Sequence, residues 1–330
     1  PPAVSGRGRR GVPAMRRPKR PSRLLVLACA ASAEAAAASA APALPRCVFI
    51  HGVGLPGSGP PTSTDVDGYW GGARGAEAWT PFCGERTFLH QDTVRNGWDN
   101  EALQREACDV LVNNTWGGRR VEGTVVITHS MGNLILAEAL RQRRCSLAPT
   151  SQWISIDAPW GGTPAGAWVR KICSNQTTSS VLRWLATEIL FCDPSKPGSL
   201  FHAYTTLGPD YPGLSRLREV AEAHVSAALC GASPYGLTSA YSVALEAVSE
   251  AVGYGEDNDG LVGFSSCRLP SKTYDSHFNA SFYQAFVNHM DGTCRFGNGD
   301  FGFPGRQPCR WLAAGAFRNA TAASAATRTA

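Results

Sequence analysis

The sequence predicts an α/β fold, a mainly parallel, doubly wound sheet covered on both faces, and three observations lead there. Short apolar runs at 47–50, 87–90, 124–128 and 153–156 read as strands, and helical stretches fall between them, notably 100–111. The run VVITHSMGN joins the third of these strands to a helix over 131–142, with Leu134, Ile135, Ala137 and Leu140 at mixed apolar spacing. The region after residue 40, about 290 residues long, holds no internal repeat or long linker and is enough for one domain with an insertion.

The first 40 residues read as a leader. Met15 precedes a basic segment (16–23), a short apolar stretch (24–31) and small residues ending in Ala38-Ser39-Ala40, the layout of a secretory signal peptide. Residues 1–14 lie upstream of that Met. A signal anchor is the alternative, although the Ala-rich run, interrupted by Glu34, is weakly apolar for a span of about twenty residues. Residues 1–23 hold eight of the 31 basic residues and no acid, and beyond residue 40 there are 23 basic against 25 acidic residues. The formal net charge of +5 is thus a property of the leader and gives no argument for a nucleic-acid partner. Of eleven cysteines, Cys29 leaves with the leader, and the remaining ten, an even number, suit disulfides and export. Sequons begin at Asn113, Asn175, Asn279 and Asn319, so an N-glycosylated secretory protein is expected. No Cys-x-x-Cys spacing argues for zinc or redox work. Cys294 with Cys309 and Cys173 with Cys192 are plausible local loops, and the pairing as a whole stays open.

The folded domain is expected over 41–318. Its first strand, 47–50, ends in His51-Gly52 and runs into a glycine-rich loop. An insertion of about 163–223 is rich in Trp, Leu and Phe, and its SVLRWLATEILF stretch (180–191) presents a broader apolar surface than a solvent-facing helix needs. It reads either as core or as a cap or lid over a pocket. Later strands are expected near 225–230 and 282–286, though the first could continue a helix begun at Leu214. The Ala/Thr/Ser-rich tail over 319–330 is of low complexity and is expected to be disordered.

Ser130 sits on the join of strand and helix. A sharp turn at x-x-Ser-x-Gly holds a serine in a strained conformation with its hydroxyl exposed and a helix N-terminus behind it, which suits a nucleophile. Downstream, GEDNDGLVGFSSC and FVNHMDG supply an acid and a histidine in the order Ser, Asp, His. With these motifs the chain resembles the secreted α/β-hydrolase lipases, and more narrowly the bacterial triacylglycerol lipases of the Pseudomonas and Burkholderia type. HGVGLPG resembles their oxyanion loop, VDGYWGG their Asp-Tyr-Trp stretch, THSMGN their Gly-His-Ser-x-Gly elbow, NDGLVG their acid loop and NHMD their histidine loop. The resemblance covers most of residues 45–292 in the same order. It implies Ser130 as nucleophile, Asp259 as acid and His289 as base, with an oxyanion held by the backbone N–H groups of Val53 and Met131.

Rival assignments exist. Asp257 is two residues from Asp259, and Asp157 directly follows a strand. Against His289 stand His51, His90, His129, His202, His224 and His277; His51 belongs to the oxyanion loop and His129 adjoins the nucleophile. His289, the last histidine, follows an apolar strand and fits best.

Three departures from the family pattern matter. Thr128 stands where the elbow has its first glycine and is read as a local repacking. The family's calcium site uses an Asp two residues after the histidine, matched by Asp291, and another about twenty residues before the acid, where LTSAYSVALEAVSE offers none. One carboxylate is a poor calcium site, so no metal and no cofactor are expected. SIDAPWGGTP resembles a segment of the lecithin:cholesterol acyltransferase and lysosomal phospholipase group. The expectation is a secreted serine hydrolase, a lipase or carboxylesterase, with a lipid or other ester as substrate and a lipid–water interface as a candidate partner. A phospholipase or acyltransferase with the same triad, and an inactive hydrolase fold kept for binding, are the alternatives.

Overall fold

The computed structural model describes residues 44–112, 118–174, 192–193 and 199–314. The leader (1–40), the tail (319–330), the 180–191 stretch read as core or lid, and Asn113, Asn175 and Asn319 lie outside the described residues.

Nine strands occur among the described residues: β1 (Arg46–Ile50), β2 (Gly59–Thr62), β3 (Glu85–His90), β4 (Arg120–Val121), β5 (Thr124–His129), β6 (Ser146–Leu147), β7 (Gln152–Ile156), β8 (Val225–Gly231) and β9 (Phe282–Ala285). Seven form the central sheet in the order β2-β3-β1-β5-β7-β8-β9, and every pairing is parallel except β2 with β3. The α-helices among the described residues are α1 (Glu101–Val112), α2 (Met131–Arg141), α3 (Ala165–Cys173), α4 (His202–Thr206), α5 (Leu214–His224), α6 (Ser242–Val252), α7 (Phe264–Cys267) and α8 (Pro308–Ala314).

All six expected strands are present. β5 is buried along its whole length, which is why a central parallel strand reads as an unbroken apolar and β-branched run. Its side chains alternate between two core layers. Val126, with Val48 and Ile50, packs on Leu103, Leu134, Ile135 and Leu217 of the helices; Val125 and Ile127, with Phe49, Ile154 and Leu229, face Trp70, Tyr283 and Trp311 on the other side. Asn100 caps α1, its Oδ1 accepting the N–H groups of Ala102 and Leu103 at 2.8 and 3.3 Å. The ambiguity at 225 resolves into both elements, since α5 ends at His224 and β8 starts at the next residue. The sequence reading had no place for β2: Gly-Pro-Pro-Thr looks like a turn, and Pro is tolerated there because the strand lies on the sheet edge.

Five disulfides join Cys47 to Cys83, Cys108 to Cys145, Cys173 to Cys192, Cys230 to Cys267 and Cys294 to Cys309. Two are the local loops singled out from the sequence. Among the described residues no helix is long and apolar enough to cross a membrane.

Candidate active site

A parallel sheet brings the residues after its strands to one end, and that end collects the predicted site. His51 follows β1, Ser130 follows β5, Asp157 follows β7, Asp259 lies beyond β8, and His289 lies beyond β9.

Ser130 has φ 52° and ψ −129°, a conformation that costs roughly 1–3 kcal/mol and persists only where its surroundings enforce it. The enforcement is visible. Its N–H donates to the Ile156 carbonyl at 2.9 Å, and its own carbonyl accepts Asn133 Nδ2 at 3.1 Å. A Cβ on Gly132 would lie 2.6 Å from the carbonyl oxygens of Ile50 and His51, so the elbow admits no side chain there. Thr128 is accommodated by bonding: its hydroxyl accepts Trp153 Nε1 at 2.7 Å and donates to Asn133 Oδ1. The repacking expected at this position is therefore a short polar network between β5, β7 and α2.

The three residues implied by the resemblance lie together. Ser130 Oγ is 2.9 Å from His289 Nε2, and His289 Nδ1 is 2.7 Å from Asp259 Oδ2. Asp259 Oδ1 accepts the N–H groups of Leu261 and Val262 at 2.9 and 2.6 Å, which fixes the carboxylate plane and turns Oδ2 to the imidazole. The His289 N–H in turn donates to the Asp259 carbonyl at 2.9 Å, locking the two loops together. All three are buried. With an acidic oxygen facing Nδ1, the ring proton sits there, and Nε2 is left as an acceptor for the serine hydroxyl.

The rivals are placed elsewhere. Asp257 accepts Gln284 Nε2 at 3.0 Å on the surface. Asp157 is wholly buried; its Oδ1 accepts the Gly231 N–H at 2.7 Å, while Oδ2 has no hydrogen-bond partner and lies 3.8 Å from His129 Nε2. Burial, and then the charge of Asp259, push its pKa well above the ordinary carboxylate range. His90 and His202 pair with Asp67 and Asp99, His277 accepts the Asn279 N–H, and His224 is exposed at the end of α5.

Residues beyond the sequence-derived set complete the site. His51 Nδ1–H donates to the Gly52 carbonyl at 2.8 Å and its Nε2 accepts the Gln91 N–H at 3.1 Å, while burial lowers its pKa to about 4. Tyr69 and His129 are buried beside it; the Arg295 guanidinium stacks 4.8 Å above the Tyr69 ring. The only sequence signal for Tyr69 was its place in VDGYWGG. Ser130 and His289 open on a narrow cleft of about 90 Å³, lined by apolar side chains such as Val53, Val169, Leu207, Leu261, Val262 and Met290.

Asp291, matched to the family's calcium ligand, is wholly buried, and its Oδ1 has no hydrogen-bond partner. Its Oδ2 accepts the backbone N–H groups of Leu237 and Asn288 at 2.7 and 3.3 Å. Among the described residues no cluster of three or more His, Cys, Asp or Glu ligand groups includes Asp291. The side chain cross-links two loops directly.

The chain matches no family model and no curated protein sequence. Solved structures do resemble it. The mature form of a Bacillus licheniformis lipase aligns over 80% of this chain and 91% of its own, with a TM-score of 0.50 and 19% identity. The chain has the α/β-hydrolase fold. A metagenomic carboxyl esterase aligns over 85% of this chain and 77% of its own (TM-score 0.46, 17% identity). A Staphylococcus hyicus lipase aligns over 85% and 95% (TM-score 0.41, 14% identity).

Proposed function

We propose that this α/β-hydrolase is a secreted serine hydrolase that cleaves carboxylic esters carrying lipid acyl groups, through an acyl-enzyme. The observation that carries the reading is the unbroken line from Asp259 through His289 to Ser130, at 2.7 and 2.9 Å, opening on an apolar cleft. In this reading Ser130 Oγ attacks the ester carbonyl as His289 Nε2 takes its proton. Asp259 holds the proton on Nδ1 and stabilises the imidazolium. The backbone N–H groups of Val53 and Met131 receive the developing oxyanion, each worth about 10²–10³ in turnover. His289 returns its proton to the leaving alcohol, and water activated by the same imidazole releases the acid.

The cleft supports an acyl chain over a small polar group, and the similar Bacillus licheniformis structure is that of a lipase. The narrower likeness to Pseudomonas and Burkholderia lipases rests on the sequence motifs. Five disulfides and the leader support secretion, and Asn279, the one described sequon, is exposed and open to a glycan. SIDAPWGGTP, which ends β7 and leads into α3, favours transfer of the acyl group to an alcohol as the second reading.

The test is hydrolysis of nitrophenyl esters from acetyl to palmitoyl by the purified protein and its Ser130→Ala variant. Activity rising with chain length and falling by several orders of magnitude in the variant supports the lipase reading. Activity confined to short chains makes the protein an esterase, and acyl transfer to an added alcohol in preference to water makes it an acyltransferase. Absence of both turnover and labelling by a serine-directed phosphonate refutes the enzyme and leaves a binding protein.

A further inference from the structure

A single chain of hydrogen bonds, unused by the reaction scheme above, runs from the oxyanion loop to the base loop. The Gly52 N–H donates to Tyr69 Oη at 2.9 Å, the Tyr69 hydroxyl donates to His129 Nδ1 at 2.5 Å, and His129 Nε2–H donates to the His289 carbonyl at 2.9 Å. The donor directions are fixed by the ends: a backbone N–H can only give and a carbonyl can only accept, so the hydroxyl and imidazole between them have one consistent arrangement. Tyr69 is 8% exposed and His129 1%.

Both ends of this chain matter to the proposed chemistry. Gly52 precedes Val53, and the Gly52 carbonyl, which shares its peptide unit with the Val53 N–H, is already held by His51 Nδ1 at 2.8 Å. Tyr69 anchors the peptide on the other side of Gly52, so the loop is pinned on both flanks. The glycine is needed for this approach, because a Cβ there would lie 2.5 Å from Ser130 Cβ and 2.9 Å from Tyr69 Oη. At the far end, the carbonyl belongs to His289 itself. The two imidazoles lie against each other, ring centres 4.7 Å apart. Packing alone does not account for the arrangement, since a phenylalanine at 69 would fill the same space without a buried hydroxyl bonded at both ends.

We propose that Tyr69 and His129 form a positioning tie that holds the Val53 N–H and the His289 imidazole in fixed relation across Ser130. The inference rests on the serine-hydrolase reading. A neutral His129, protonated at Nε2, leaves Nδ1 to accept the Tyr69 hydroxyl. Burial, and then the charges of His289 and Arg295, hold its pKa far below the ordinary histidine value. The tie makes the oxyanion donor and the base one unit, set against the nucleophile before substrate arrives.

Tyr69→Phe, assayed beside the wild type, tests this. Expected are a fall in kcat of about 10- to 100-fold with KM within twofold, and an equal loss of affinity for an alkylboronic acid, whose tetrahedral adduct on the serine presents the oxyanion. Two further variants divide the tie. His129→Gln keeps a donor for the His289 carbonyl and loses the acceptor for Tyr69, so it should reproduce Tyr69→Phe. His129→Asn keeps the acceptor and loses the donor, so it should shift the pH profile of kcat/KM, which reports the free base. Tyr69→Phe with kcat and boronate affinity within threefold of an active wild type overturns the tie. A Tm loss above about 10 °C with kcat and KM impaired alike also overturns it and leaves a structural role. A wild type inactive towards every ester fails the hydrolase reading, and the tie with it.

Discussion

Asp259→Asn is the perturbation that the geometry reads most directly. Two backbone N–H groups point at Oδ1 from 2.9 and 2.6 Å, so in the variant the amide oxygen must take that position to accept them. The amide NH₂ then faces His289 Nδ1 from the place where the carboxylate oxygen stood, 2.7 Å away. Two donors cannot face each other at that distance, so the imidazole moves its proton to Nε2. That N–H now points at Ser130 Oγ, 2.9 Å away, and no lone pair is left to take the serine proton. Loss of the correct tautomer costs about 10⁴ in kcat, or about 5 kcal/mol of transition-state stabilisation. KM should change little, because Asp259 does not line the cleft. Single-turnover hydrolysis of nitrophenyl butyrate, with Tm measured alongside, checks both parts. A kcat within tenfold of wild type would refute the argument and move the acid to another carboxylate, with buried Asp157 the first to examine.

Asp157→Asn should leave kcat within about threefold of wild type, because the amide oxygen accepts the Gly231 N–H as the carboxyl oxygen does. Its stability effect should depend on pH: the folded pKa of Asp157 lies above the unfolded one, so wild type loses stability as pH rises past the ordinary carboxylate range, and the Tm advantage of the variant should grow over that rise. His51 has the opposite sign, its folded pKa of about 4 lying below the unfolded value, so its contribution is full above pH 6.5 and lost towards pH 4. The acid-side loss is about 3 kcal/mol by linkage, and denaturant titrations of His51→Gln should show that much less dependence over the same range. Replacing Cys108 and Cys145 together by serine opens a loop closed over 37 residues and should lower stability by about 4 kcal/mol, read as a fall in the denaturant midpoint.

What could be read in the sequence was local or motif-borne. The elbow around Ser130 is legible because strand, turn and helix lie within a dozen residues, and the apolar run of β5 declares a doubly buried strand. The Asp and His loops were found through the resemblance of whole segments; spacing alone left Asp157 and Asp257 in competition. β2 was missed because an edge strand of Gly and Pro is held by its neighbour and carries no pattern of its own. Tyr69 and His129 were missed for a similar reason. Their partners are separated from them by between 17 and 160 positions, so the bonds exist only once the sheet has formed. Asp291 was matched to the family's calcium ligand, and the bond it makes between loops depends on Leu237, 54 residues earlier.

The disulfides share a property that concerns the birth of the chain. Each cysteine is bonded to the next one along the described sequence: 47 with 83, 108 with 145, 173 with 192, 230 with 267, 294 with 309. No bridge encloses or crosses another. Were the polypeptide threaded into an oxidising compartment from its N-terminus, as the proposed export requires, each of these thiols would meet its own mate before the next pair emerged. A pairing scheme of this order would need no reshuffling.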